Sequence, residues 1–97
     1  MASNHKLTGV IAGKTVQTLT VDGGKLAIAF EDGTAMTVKL GAVLPDATKT
    51  GVVKAVRQSG VTLSLDYEDG STLDIETQEE TSSVMVRDEN HRMTYAD

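Results

Sequence analysis

Large apolar side chains recur at every second position over several stretches of this chain. Leu26, Ile28 and Phe30 alternate with Lys25, Ala27 and Ala29. After Glu31-Asp32-Gly33 the alternation resumes, with Met36, Val38 and Leu40 set against Ala35, Thr37 and Lys39. A period of two on both sides of a glycine-containing turn predicts a β-hairpin. The faces fix its register. A two-residue Asp32-Gly33 turn would pair Ile28 with Thr37 and leave Met36 and Val38 on the wrong side. A three-residue Glu31-Asp32-Gly33 loop, with Gly33 in the left-handed region, pairs Phe30 with Thr34, Ile28 with Met36 and Leu26 with Val38. All the large apolar residues then share one face, and a slip of one residue would invert that face. Upstream, a Gly23-Gly24 turn pairs Val21 with Leu26 and Leu19 with Ile28. Residues 16–40 are therefore expected to form a three-stranded meander.

The pattern returns 37 positions later. Leu26, Ile28, Phe30, Glu31, Asp32, Gly33, Met36 and Val38 align without gaps to Leu63, Leu65, Tyr67, Glu68, Asp69, Gly70, Leu73 and Ile75. Gly23 and Val16 align with Gly60 and Val53. The chain is read as one domain over 1–97, with pseudo-repeats at 16–40 and 53–77 from an internal duplication. Val52–Arg57 is less tidy, and a Gln58-Ser59-Gly60 loop would place Val53 and Ala55 inside and Lys54 outside. Over 83–96 a further hairpin is expected, Val84 and Val86 facing Tyr95 and Met93 across Glu89-Asn90, with Asn90 taking a positive φ. Leu7–Ala12 reads as an early strand. Residues 41–50, holding Pro45, read as the connection between copies, with room for a short helical turn.

Short strands joined by tight turns, with no long helical pattern, specify an all-β fold. The expected architecture is a small barrel or two packed sheets, an SH3-like or Sm-like barrel being the nearest analogy at this size.

Composition narrows the setting. Ninety-seven residues suit one modest core. Cysteine is absent, which removes disulfides, thiolate metal sites and cysteine nucleophiles and fits a reducing cytoplasm. The first residues show no secretory h-region, and no apolar run approaches the ~20 residues of a membrane span. A cytoplasmic protein without membrane attachment is expected.

Charge is distributed unevenly. The net charge is -5, and residues 49–97 hold ten acids against five bases. Seven acids and no base lie between Asp66 and Glu80. With three aromatic residues in all, the chain lacks the basic footprint and stacking platforms of a nucleic-acid binder. Nucleic acid is disfavoured as a partner, unless Lys14, Lys25, Lys39, Lys54 and Arg57 converge.

The candidate chemistry is thin. The twin Glu-Asp-Gly tripeptides are what such turns require, and they lack the alternating acids of a calcium loop. His5 and His91 read as surface histidines rather than zinc ligands. Arg87 and Arg92 should sit opposite each other beside Asp88 and Glu89. Gly13-Lys14-Thr15 fails the spacing of a phosphate loop. No nucleophile, base and orienting group are brought together by the pattern, so no enzyme, cofactor or metal is expected.

Two surface features remain. Asp66, Asp74 and Glu76 alternate with core residues and should form an acidic stripe on the outer face of the second meander. Thr18, Thr20, Ala27, Ala29, Ala35 and Thr37 should make an uncharged outer face on the first, covered by another segment or by a partner. The function expected is a non-catalytic protein-binding or assembly module acting through a sheet face or edge, with a protein partner or a second copy. Binding of RNA or a ribonucleoprotein, or of a small molecule or anion, stand as alternatives.

Overall fold

The alternating stretches become strands, and their inward residues meet in one hydrophobic cluster. The structure is a computed structural model that describes residues 2–42, 50–80 and 83–96. Its elements are β1 (Ala2–Ser3), α1 (His5–Ile11), β2 (Thr15–Asp22), β3 (Lys25–Phe30), β4 (Ala35–Lys39), β5 (Gly51–Ser59), β6 (Thr62–Tyr67), β7 (Thr72–Glu76), β8 (Val84–Arg87) and β9 (Met93–Ala96). Eight strands form one antiparallel sheet in the order β7-β6-β5-β2-β3-β4-β8-β9, while β1 adds to β5.

The fold is all-β, as the alternation requires, and its strands lie in one antiparallel sheet that is not closed, in place of the expected closed barrel or two separate sheets. Among the described residues β9 pairs only β8, and α1 packs beside β9 and β5. The Asn4 side-chain amide preceding α1 donates to Tyr95 Oη on β9 (3.1 Å) and to Gln58 Oε1 on β5 (3.0 Å).

That helix replaces the strand expected over Leu7–Ala12. Asn4 caps it, its Oδ1 accepting the Leu7 N–H at 3.0 Å, which satisfies one of the end groups a helix leaves open. Leu7 and Ile11, four apart and therefore on one face, are both fully buried. Thr8-Gly9-Val10 are weak helix formers, so so short a helix is held by docking rather than by propensity. Thr8 Oγ1 accepts the Val56 N–H at 2.9 Å and donates to the Val56 carbonyl at 3.3 Å.

Both hairpins of the first meander take the expected registers. Val21 pairs with Leu26, Ile28 with Met36 and Leu26 with Val38. Gly23, Gly24 and Gly33 adopt φ of +58°, +78° and +93°, values that a side chain would strain. One feature escapes simple alternation: a bulge between Val16 and Thr18 puts Val16 and Leu19, three apart, on the same side. Val21, expected inside, lies beyond the core and is 46% exposed.

The second meander repeats these pairings. Val16↔Phe30 becomes Val53↔Tyr67, Leu19↔Ile28 becomes Val56↔Leu65, Leu26↔Val38 becomes Leu63↔Ile75, and the bulge returns between Val53 and Ala55. The bulge and a two-residue Gly60-Val61 turn, with Ser59 paired to Thr62, correct the expected Gln58–Gly60 loop. Val53 and Val56 are buried, and Ala55 only half so.

Where the meanders meet, equivalent positions face each other. Thr15 pairs with Val52, and Leu40 bridges Thr77. Around that bridge the Gly41 N–H donates to the Glu76 carbonyl and the Gln78 N–H to the Lys39 carbonyl, both at 2.9 Å.

The C-terminal hairpin pairs Val86 with Tyr95 and Arg87 with Met93, with a register shift between them, which corrects the expected meeting of Val84 with Tyr95 and Val86 with Met93. Arg87 and Arg92 are thus not opposite; the Arg87 guanidinium donates to the His91 carbonyl at 3.0 Å. His91, not Asn90, takes the positive φ, at 63°. Asp88 organises this turn by accepting the N–H groups of Asn90 and Arg92, each at 2.9 Å. Most of the 41–50 connection, Pro45 included, lies outside the described residues.

Candidate functional site

Because strands pair in register, the outward residues line up in rows across the sheet. One row runs Thr20, Ala27, Thr37, Met85, Ala96 over β2, β3, β4, β8 and β9. A second runs Thr18, Ala29, Ala35, Arg87, Met93. The six residues singled out on the first meander thus share one face. Thr18, Thr20, Ala27, Ala35 and Thr37 are exposed and Ala29 is half-buried, so no described segment covers this face.

A third row borders it, with Asp22 opposite Lys25 and Lys25 opposite Lys39. At this end of the face lies a shallow groove of about 540 Å³, lined by Lys25, Thr37, Lys39, Met85 and Ala96 among others. Two cations directly across an antiparallel pair repel one another. Among the described residues, neither lysine has an ion-pair partner within reach. The sequence pattern already held Lys25 and Lys39 in alternation with core residues, so their place on this face was legible. Met85 and Ala96 depended on β8 joining β4, a pairing of distant segments that alternation alone does not reveal.

The corresponding face of the second meander is occupied by its own side chains. Arg57 makes a two-pronged contact with Asp66, Nε to Oδ2 at 2.7 Å and Nη2 to Oδ1 at 2.8 Å. Thr72 Oγ1 donates to Asp66 Oδ1 at 2.8 Å, and Ser64 Oγ to Asp74 Oδ1 at 2.6 Å. The Arg57 guanidinium, with help from the Thr72 hydroxyl, holds the Asp66 carboxyl below the ordinary carboxylate range despite partial burial. Ser64 is fully buried beneath this network. The acidic stripe expected from Asp66, Asp74 and Glu76 therefore reduces to an exposed Glu76, an exposed Asp74 bonded to Ser64, and an Asp66 neutralised in place.

The cations that a nucleic-acid surface would need are dispersed. Lys14 pairs with Asp32 and Arg57 with Asp66. Lys25 and Lys39 sit on the first meander, whereas Lys54 is on β5 of the second. His5 begins α1 and His91 lies in the β8–β9 turn. Among the described residues no three His, Asp or Glu side chains gather to hold a metal ion, and no helix is long and apolar enough to cross a membrane.

A search of family models, of curated proteins and of solved structures found no match to this chain.

Proposed function

We propose that this chain is a non-catalytic protein-binding module whose outer face over β2, β3, β4, β8 and β9 receives an acidic segment of a partner protein. The observation that carries the reading is the row Thr20-Ala27-Thr37-Met85-Ala96, open and uncharged across five strands and ending in a groove flanked by Lys25 and Lys39. Interface cores are depleted in charge and their rims are polar, and this face has that composition. An acidic partner would relieve the repulsion between the two facing ammonium groups. The 37-position identity of the strand registers supports a scaffold of two duplicated units, of which one has kept its outer face free. The reading does not depend on SH3-like or Sm-like barrels, and a cytoplasmic setting belongs to it only through the absence of cysteine.

The test is fluorescence anisotropy with a labelled Glu-rich peptide carrying alternating Val and Thr. Binding should weaken with salt. The Lys25→Glu and Lys39→Glu variants should each weaken it about tenfold, as a like charge placed at a rim does. Ala27→Glu, exposed in mid-strand, should abolish binding while leaving the circular dichroism unchanged. Undiminished affinity in a folded Ala27→Glu protein overturns the proposal. A salt-sensitive shift of single-stranded RNA in its place would favour the ribonucleoprotein alternative.

A further inference from the structure

Lys25 and Lys39 stand directly opposite each other on β3 and β4, and both are exposed. Like charges in that relation work against the strand pairing. The scaffold does not demand them. Thirty-seven positions on, the same pair in the second meander is Thr62 with Glu76.

The main chain fixes both lysines where they are. Gly24, with a φ of +78°, leads into Lys25, and its carbonyl accepts the Leu40 N–H at 2.8 Å. The Lys39 N–H donates to the Ser83 carbonyl, also at 2.8 Å, which ties Lys39 to the segment entering β8. The groove of about 540 Å³ lies against these two residues, and Thr37, Val84 and Met85 also line it. Ser83 borders it too, but its hydroxyl is held by the Glu79 main chain at 3.0 Å. Among the described residues, the side-chain donors left to the groove are therefore two ammonium groups and the Thr37 hydroxyl. Asp22, opposite Lys25 on β2, makes no ion pair with it.

We propose that this end of the face is a phosphoryl subsite, and that the partner's segment is a phosphopeptide whose phosphorylated serine or threonine sits between Lys25 and Lys39. Side chains directly opposite start only ~5 Å apart at Cβ, so two flexible lysine stems can bring both ammonium groups onto one anion. A carboxylate neutralises one of them. A phosphomonoester carries about -1.5 to -2 at pH 7 and presents three acceptor oxygens, enough for both ammonium groups and the Thr37 hydroxyl. From the groove the row Thr37-Ala27-Thr20 runs on without charge, which gives the residues flanking the phosphate a surface to lie along. The inference rests on the reading of this face as a protein-binding surface and names the group that the surface selects.

The experiment uses the whole chain and two labelled peptides in fluorescence anisotropy: the Glu-rich Val/Thr peptide that tests the face, and the same peptide with its central Glu replaced by phosphoserine. At neutral pH the phosphopeptide should bind about tenfold more tightly, and the advantage should shrink at about pH 5, where the phosphate has taken up a proton. Lys25→Gln and Lys39→Gln should each cut the advantage to about twofold or less, since one ammonium group serves a carboxylate as well as a phosphate. Lys54→Gln, which removes the same charge from the second meander, should leave the advantage intact. All three substitutions are at exposed positions, so circular dichroism should be unchanged. Equal affinity for the two peptides overturns the inference and leaves the face reading standing, because the Glu peptide still binds. An advantage that survives both lysine substitutions overturns it as well, and binding of neither peptide overturns both readings. Inorganic phosphate that binds as tightly as the phosphopeptide would replace the partner by a small anion, and preferential binding to phosphoinositide vesicles would replace it by a membrane. Either result overturns the phosphopeptide assignment.

Discussion

The two meanders share a backbone and differ in what they put on it. Position for position, Thr20 and Ala29 on the first correspond to Arg57 and Asp66 on the second, and Ala27 and Thr37 to Ser64 and Asp74. On the second, Arg57 and Thr72 are bonded to Asp66 and Ser64 to Asp74 within the sheet. On the first, the outward residues have almost nothing to offer one another. Satisfying a sheet face internally leaves little for a partner to gain by covering it, whereas a face of Thr and Ala loses little on desolvation. The same scaffold therefore holds a finished surface and an unfinished one, and the unfinished one is where binding is sought.

The comparison fails if the cores under the two faces are unequal. Ile28 and Leu65 occupy equivalent positions and are both essentially inaccessible. Ile28→Ala and Leu65→Ala should each cost about 2–5 kcal/mol in urea unfolding, the range for a large aliphatic truncated in a packed core. A cost well below ~1 kcal/mol at either site would mean that one meander is an appendage, not half of a shared core.

A smaller effect is expected at the junction. A Cβ on Gly41 would collide with the Thr77 carbonyl. That carbonyl cannot move cheaply, because the flanking Glu76 and Gln78 are hydrogen-bonded to Gly41 and Lys39. Gly41→Ala should cost about 1–3 kcal/mol, as overpacking against a fixed neighbour does. Gln78, its exposed counterpart, should tolerate alanine within ~0.5 kcal/mol. If Gly41→Ala is silent in thermal unfolding, the Leu40–Thr77 bridge contributes little to holding the meanders together.

How much of this was legible follows from what each residue type commits to. Alternation and glycine turn chemistry specified the registers of β3 with β4 and β6 with β7, because one-sided burial penalises a slip. The bulge at Val16 and Val53 left only a faint mark, the three-residue spacings Val16–Leu19 and Val53–Val56. The helix is not legible locally, because Gly9 and the β-branched Thr8 and Val10 oppose it and Leu7–Ala12 reads as a strand; tertiary docking overrides them. The open face was visible from the periodicity, but the partner of Asp66 was not, because Arg57 comes within reach only once β5 pairs with β6 through the bulge. Ser64 lies directly opposite Asp74 in the β6–β7 register. Closure is not legible either, because strand number alone does not say what lies at the edges.

Moving the finished surface onto the unfinished one sharpens the contrast. Thr20→Arg with Ala29→Asp should recreate on the first meander the contact that Arg57 and Asp66 make on the second. The urea midpoint should change little, since exposed ion pairs contribute little, while binding of an acidic peptide at the face should be lost. The reverse change, Asp66→Asn, should lower the midpoint by less than Gly41→Ala, because it leaves Arg57 over Ser64 without its carboxylate. A transplanted pair that leaves peptide affinity unchanged would mean that internal satisfaction is not what closes the second face to partners.

The smallest expected difference lies at the twin turns and appears only in acid. Asp32 and Asp69 both accept a backbone N–H two residues on, from Thr34 and Ser71. Asp32 has Lys14 beside it, and the position equivalent to Lys14 in the second meander is Gly51. The Lys14 ammonium, followed by the Thr34 N–H, lowers the Asp32 carboxyl from 3.8 to about 2. Because the folded-state value is the lower one, folding favours the charged form. The contribution is complete above the unfolded-state value and disappears as pH falls through the folded-state one, over roughly pH 4 to 2. Asp32 is 44% exposed, so solvent screens the pair and the effect is modest. Urea unfolding repeated across that window should show the wild-type protein losing more stability than Lys14→Met, which lacks the main cause of the shift. Parallel acid limbs for the two proteins would show that the backbone N–H alone sets the Asp32 carboxyl.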